Sequence, residues 1–495
     1  MADALDQLKA RLAEAQGLGA LAGLLAWDQR TMMPPGGFRH RAEHMALLGR
    51  LSHQTLVDPD VGRLLDELEA RDLDPDSWEG GLLRVARRDY QKAVQVPTEL
   101  RAEMMRASAE ATPGWLEAKA TSNFGLFLPL MERNVELRHR YVDCFGPQEE
   151  PYDILLDDFE PEMKTAEVTR IFEELKPELV ELIAELRERE VDDSFLTGDF
   201  DLDEQVALDH EVVDLFGHRA DTWRIDPTEH PFASGAGIDD IRITTHYYRD
   251  HLKSLFSTMH EYGHGLYEHQ LPGEWAHLPV GRSAGLGIHE SQSRLWENLV
   301  GRSLPFWRGF YPRLRERFPQ FRSVDVEQFY AAINKSQPSL IRIEADEVTY
   351  GMHVILRFEL EQDIINGRIE LKDLPELWGQ KMHDYLGVDV PDDARGVLQD
   401  MHWASGYIGY FSTYLLGTVM SVQIWEKAAE DLGELDDQVE RGEFAPLREW
   451  LGEHLHGQGR KYPPQELLRR ATGSTIDARP YLAYLKRKFG AAVAA

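Results

Sequence analysis

Cysteine is almost absent. The 495-residue chain has one, Cys144, which excludes a disulfide framework and a cysteine-rich zinc site. Long apolar runs are missing too. None approaches the roughly 18 residues of a membrane span, so no membrane partner is expected. Positive charge is scarce: 54 Lys and Arg stand against 86 Asp and Glu, a net charge of −32. Nucleic-acid binding needs a basic footprint and is excluded on that ground, as is docking to an anionic membrane surface. The acidity is spread along the chain and reads as a solvated, self-repelling surface. The start, Met1-Ala-Asp-Ala-Leu-Asp-Gln-Leu-Lys9, has no basic region ahead of an apolar stretch. No secretory signal is therefore expected, and the cytoplasm is the default compartment. Flexible linkers, internal repeats and low-complexity segments are also lacking. Length alone would suggest about three domains. Because helical patterning resumes after every short loop, the expectation is one large, mainly α-helical domain over residues 1–495.

What the chain has in abundance is helical periodicity. Leu5, Leu8 and Leu12 recur at spacings of three and four. Ile171, Phe172, Leu175, Leu179, Leu182, Ile183 and Leu186 form an apolar stripe among Glu and Arg residues, the mark of an amphipathic helix that Pro177 should kink or restart. Thr98 is an expected N-cap. The best strand signal is Asp240-Ile-Arg-Ile-Thr-Thr-His-Tyr-Tyr248, after Gly235-Ala-Gly237. A small antiparallel sheet near residues 195–282 is the only β element expected.

The chemistry is concentrated in Met259-His260-Glu261-Tyr262-Gly263-His264, a His-Glu-x-x-His pattern. Positions i and i+4 share a helix face, so both imidazoles can bind one ion. Glu261 lies beside them, positioned to take a proton from a metal-bound water. The bland alternative is two surface or capping histidines. A catalytic zinc commonly has three protein ligands and an open position. Glu290, in Gly287-Ile-His289-Glu290-Ser291-Gln292, follows His264 by 26 residues. That is enough chain for a loop and a returning helix. The alternative for Glu290 is an ion pair with Arg294 at i+4.

Further segments line up in order along the chain: Trp27-Asp28-Gln29, His230-Pro231-Phe232, Asp240-x-Arg242-x-Thr244, Ile341-Arg342-x-x-Ala345-Asp346, Gln399-Asp400-x-His402-Trp403 and Thr472-Gly473. With the two metal-type motifs, they resemble the carboxypeptidase Taq family of metallocarboxypeptidases over essentially the whole chain. The resemblance implies an all-α fold with a deep active-site groove, a small sheet along its wall, and a homodimer. It implies release of single residues from the C-termini of peptides, with broad specificity and poor handling of proline. It also implies one divalent metal ion, zinc first and cobalt as the alternative.

A carboxypeptidase must activate water, stabilise an oxyanion and hold the substrate's free α-carboxylate. Metal and Glu261 answer the first need. An arginine suits the last, because its planar fork makes two charge-assisted bonds to a carboxylate. Arg342 is the choice, against a structural ion pair with Glu344, Asp346 or another acid. Arg242 is second, against a pair with Asp240. For the oxyanion, the resemblance, in which related peptidases place a tyrosine shortly after such a histidine, implies Tyr410 as the donor, with Tyr407 and Tyr414 open and aromatic core packing as the alternative. His402 and Asp400 read as partners of the metal ligands, as substrate contacts, or as a buried hydrogen-bonded pair. His246, His269 and His289 are assigned no chemistry, and Cys144 reads as an inert small hydrophobe. Two rival functions remain: an oligopeptidase with the same zinc core cutting inside short peptides, and a helical binding protein with a dead site.

Overall fold

The computed structural model describes residues 3–490. The chain forms two compact units, each assembled from three stretches. One comprises Met1–Val94, Asp192–Ile333 and Met420–Ile476; the other Gln95–Val191, Asn334–Val419 and Asp477–Ala495. Helix dominates both, as the periodicity predicts. Among the described residues no helix is long and apolar enough to cross a membrane.

In the first unit, Asp3 caps the long helix Ala4–Thr31 by accepting from the Ala4 N–H. Leu8 and Leu12 of that helix are buried with Val61, Leu64, Leu65 and Leu68 in one apolar cluster. The unit also carries a three-stranded sheet in the order β1-β3-β2, with β1 at Trp223–Pro227, β2 at Ala233–Gly237 and β3 at Asp240–Thr245. The sheet is mixed, not wholly antiparallel as expected. β2 and β3 pair antiparallel, whereas β1 runs parallel to β3. The short Ile238-Asp239 connection forces β2 and β3 into a hairpin, and β1 then joins the far edge of β3.

The helix Lys253–His269 carries the His-Glu-x-x-His segment, and two glycines fix where it lies. A Cβ on Gly265 would sit 2.7 Å from the Trp223 ring and 2.9 Å from the Ile241 side chain, so only glycine lets the helix rest on the sheet. A Cβ on Gly263 would sit 2.3 Å from the Gln292 carbonyl oxygen, so the helix Leu286–Arg294 also comes into backbone contact. Its rotation is set from the helix Leu202–Phe216. Thr258 Oγ1 donates to Asp209 at 2.9 Å, and the Tyr262 hydroxyl donates to the Phe216 carbonyl at 2.6 Å.

In the second unit, the helix Thr165–Leu186 runs unbroken through Pro177. An interior proline costs about 3 kcal/mol. All seven stripe residues from Ile171 to Leu186 are buried, each contributing roughly 1.5–3 kcal/mol, so packing outweighs the break. Thr98 is the first helical residue of Thr98–Ala120 and not its cap; Pro97 occupies that position without a side-chain bond. The helix Tyr350–Ile365 is buried almost all round, with Phe358 against Phe172 at 5.0 Å. Its Glu361 accepts from Tyr152, from Trp403 and from the Gly409 N–H, each at 2.8 Å. That carboxylate ties down the loop carrying His402 and Tyr410.

Candidate metal centre and the arginine cluster

His260 and His264 project from one face of their helix, as the i, i+4 spacing predicts. Glu290 faces them from the helix Leu286–Arg294. Its Oε2 lies 3.8 Å from His260 Nε2 and 3.4 Å from His264 Nε2. One donor atom from each of the three residues lies within 4.8 Å of the others. Ligand atoms bonded at 2.0–2.1 Å to a tetrahedral ion stand about 3.4 Å apart, so this nitrogen and oxygen set fits a divalent metal.

The surrounding bonds decide the protonation pattern. His260 Nδ1 meets Glu297 Oε2 at 2.9 Å. Arg294, then His260, hold the Glu297 carboxyl at about 2 against the upward push of burial. An ionised carboxylate can only accept, so Nδ1 carries the proton and Nε2 keeps its lone pair. Burial would lower the His260 pKa, but Glu290 and Glu297 outweigh it and raise it. Burial, with His289 adding to it, pushes His264 down to about 3, leaving that ring neutral as a ligand must be. Arg294 and the two histidines hold Glu290 well below the usual carboxylate range, although burial opposes them. The pairing with Arg294 that the sequence offers as the alternative for Glu290 is present. Glu290 faces the histidines through Oε2, and its Oε1 accepts from Arg294 Nε at 2.7 Å.

Glu261 is buried beside this group. Burial pushes its pKa up to about 7, and its Oε2 has no hydrogen-bond partner. A buried acceptor left open next to the three donors is what a proton-accepting base needs. His264 is held differently from His260. Its Nδ1 has no partner, and its ring stacks on His289 at 4.5 Å. His289 in turn meets Glu268 at 3.0 Å. A cavity of about 370 Å³ adjoins this pair, lined by Glu268, His289, Arg282 and small residues including Gly23, Gly235 and Ala276.

Arg242 lies on β3 of the same unit and makes the ion pair that the sequence offers as its alternative. Nε and Nη2 donate to Asp240 at 2.7 and 3.0 Å. Its guanidinium lies 4.2 Å from the centre of the Trp27 ring, which Arg224 also approaches at 4.8 Å. Trp27 and Arg242, from two motifs far apart in sequence, thus meet through a cation–π contact.

Arg342, His402 and Tyr410 belong to the second unit. Arg342 is 7% exposed. Its Nε and Nη2 donate to Asp400 at 3.0 Å each, and its Nη1 to the Tyr350 hydroxyl at 3.0 Å. Arg357 also donates to Asp400. Burial would raise the Asp400 pKa, but the two guanidiniums hold it well below the usual carboxylate range. The partner of Arg342 is therefore neither Glu344 nor Asp346; Asp346 accepts from Ser336 and Thr349 instead. His402 Nε2 meets the Tyr414 hydroxyl only at 3.5 Å, its ring lies tilted against Phe411 at 4.5 Å, and its Nδ1 has no partner, so no Asp400–His402 hydrogen-bonded pair forms. Burial pushes His402 down to about 4, with both arginines adding. Tyr410 packs edge-on to Phe159 at 5.1 Å and stacks with the half-exposed Tyr407.

Residues 7–489 match the family described as carboxypeptidase Taq (M32) metallopeptidase. The chain is 42% identical over 488 residues to thermostable carboxypeptidase 1 of Thermus thermophilus, covering 96% of each. It is 37% identical over 472 residues to carboxypeptidase 1 of Bacillus subtilis, covering 94% of each. Among solved structures it is similar to the M32 carboxypeptidase of Deinococcus radiodurans, with a TM-score of 0.96 at 36% identity and both chains fully covered. The chain belongs to the carboxypeptidase Taq family of metallopeptidases.

Membership in this family implies a divalent ion, and the His260, His264 and Glu290 group could bind one. Three residues around that group escape the motif reading. Glu297 falls seven residues after Glu290, close to two helical turns, and that spacing was the available signal. Glu268 and His289 are brought together only by packing of the two helices. His289 is the one of the three unassigned histidines that reaches the group.

Proposed function

We propose that this chain is a zinc-type carboxypeptidase that releases single residues from the C-termini of peptides with broad specificity. The observation that carries this reading is the open Oε2 of Glu261 beside three convergent metal-type donors. Family membership supports it, since the relatives are named carboxypeptidases. When bound, the divalent ion, zinc or alternatively cobalt, supplies Lewis acidity to a carbonyl and to a water molecule. Glu261 takes the proton from the attacking water and passes it to the leaving amine. Tyr410 donates its hydroxyl to the oxygen that gains charge. The cavity beside His289, lined in part by small residues, supports the reading of broad specificity.

Arg342 is proposed to receive the substrate's α-carboxylate, with Arg242 as the second candidate and His402 as a further substrate contact. One observation favours a second reading. The Arg342 fork is already engaged by Asp400, so a clamp requires Asp400 to yield. Without a clamp the same metal core would serve an oligopeptidase. The intact Glu261 argues against a dead binding protein. One peptidase domain over residues 1–495, placed in the cytoplasm and assembled as a homodimer, completes the proposal; the homodimer is what the family resemblance implies, and fractionation and sedimentation test location and assembly.

The deciding experiment digests one peptide with a free C-terminus and the same peptide amidated. A carboxypeptidase releases single residues from the first and spares the second. Internal cleavage of both would establish the oligopeptidase instead.

A further inference from the structure

Glu290, Arg294 and Glu297 follow one another at i, i+4 and i+7. At 3.6 residues per turn these positions lie along one helix face, here the face turned toward His260. Arg294 is the hub. Its Nε donates to Glu290 Oε1 at 2.7 Å and its Nη1 to Glu297 Oε2 at 3.2 Å. The two carboxylates then part company. Glu290 Oε2 points between the two histidine Nε2 atoms, and Glu297 Oε2 holds His260 Nδ1. Glu290 is steadied further by Ser293, whose hydroxyl lies 3.1 Å from Oε2.

The backbone is adapted for this. The α-helix Leu286–Arg294 passes into a π-helical turn at Leu295–Val300, and the Gly301 N–H bonds back to the Trp296 carbonyl at 3.0 Å. Such turns are rare and frequently occur at functional sites. Glu297 leaves the helix inside this widened turn. Gly301 ends it tightly against the histidine helix, since a Cβ there would sit 2.3 Å from Met259 Sδ.

We propose that Arg294 is a positioning residue that withholds one oxygen of Glu290 from the metal. The carboxylate is thereby presented through Oε2 alone, and Glu297 fixes the His260 ring through the same guanidinium. This rests on the reading of His260, His264 and Glu290 as metal ligands. The consequence is a one-oxygen ligand. A Glu290 freed to chelate through both oxygens would use a coordination position that substrate and water need. A free carboxylate oxygen buried beside the ion would otherwise compete for it, and the fork of arginine, unlike a point charge, can engage both acids at once.

The test uses the full-length protein stripped of metal and titrated with cobalt, read by competition with a chelator and by the visible cobalt spectrum, with no peptide present. Arg294→Gln should lower cobalt affinity about 10–100-fold, the usual consequence of losing a partner of a metal ligand. It should also weaken the visible bands toward those of a higher-coordinate ion. Arg294→Lys, which can hold Glu290 but not bridge to Glu297, should recover part of the affinity. Glu297→Gln, which keeps an acceptor for His260, should lose less affinity than Arg294→Gln and leave the visible bands as in wild type. Should Arg294→Gln fail to fold, the Lys and Glu297 variants carry the test by the same two readouts. An unchanged affinity and spectrum in a folded Arg294→Gln protein would overturn the proposal. A wild-type chain that bound no cobalt would instead sink the ligand assignment beneath it.

Discussion

The metal-type cluster and the arginine cluster are both buried, charged and rich in hydrogen bonds, but their charges are balanced in opposite ways. Around His260 and His264 stand Glu261, Glu268, Glu290 and Glu297, with Arg294 bonded to Glu290 and Glu297 and Arg302 lying 3.5 Å from Glu297. Around Asp400 stand two arginines, and both donate to its carboxylate. The first cluster is short of positive charge and keeps an open carboxylate oxygen; a divalent cation supplies what is missing. In the second, two guanidiniums share one carboxylate. Buried charges are stable only when paired, so the first arrangement makes sense as a receptor for a cation, whereas the second keeps its one carboxylate paired by two guanidiniums.

The sharpest way to test this contrast is to remove the open oxygen. Glu261→Gln should keep the metal and the fold and lower kcat by about 10²–10⁴-fold. Turnover near wild type in a metal-loaded mutant would remove Glu261 from the mechanism. The next substitution tries to break the comparison from the other side. If Arg342 is a clamp as well as a partner of Asp400, Arg342→Ala should lower kcat/KM on a free-carboxylate peptide by about 10–150-fold. Selectivity over the amidated peptide should fall with it. If Arg342 serves only Asp400, the mutant loses thermal stability but discriminates between the two peptides as strongly as wild type. Arg242→Ala would then be the next variant to assay.

How legible each cluster is in the sequence follows from the same difference. The two histidines, Glu261 and the pairing of Glu290 with Arg294 are helical neighbours, so spacing along one turn reveals them. The arginine cluster draws on residues 342, 357 and 400, which only tertiary folding brings together. Asp400 reads from the sequence as a companion of His402 and not of Arg342, and Arg357 is not singled out at all. In the fold, periodicity gives the helices, including one that packing carries through Pro177. It does not give the direction of β1, because strand order depends on which edge of the β2–β3 hairpin the earlier strand joins. The roles of Gly263 and Gly265 are likewise hidden until the helix is seen against the sheet and its neighbour.

A smaller effect concerns the support beneath the histidine helix. Asp209 is fully buried, and burial pushes its pKa up to about 7 although Thr258 and Ser254 bond to it. The folded state therefore holds a proton that the unfolded chain has released between pH 3.8 and about 7. Stability falls as pH rises through that window and stays lowered above it. Asp209→Asn should remove this fall. Its unfolding midpoint should exceed that of wild type at pH 8 and approach it at pH 4, with a gain of no more than a few kcal/mol at the upper end. A wild-type midpoint that rises from pH 5 to pH 8 by an amount Asp209→Asn abolishes would contradict the assignment.

The central claim is that His260, His264 and Glu290 form one ion site that drives removal of C-terminal residues. It is tested most directly by stripping the wild-type protein with a chelator, adding zinc or cobalt in steps, and measuring bound ion and released amino acid in the same samples. The account predicts no release from the stripped protein, then release rising in proportion to bound ion and levelling at one ion per chain. Release that persists without metal, or that fails to return when the site is filled, would contradict it.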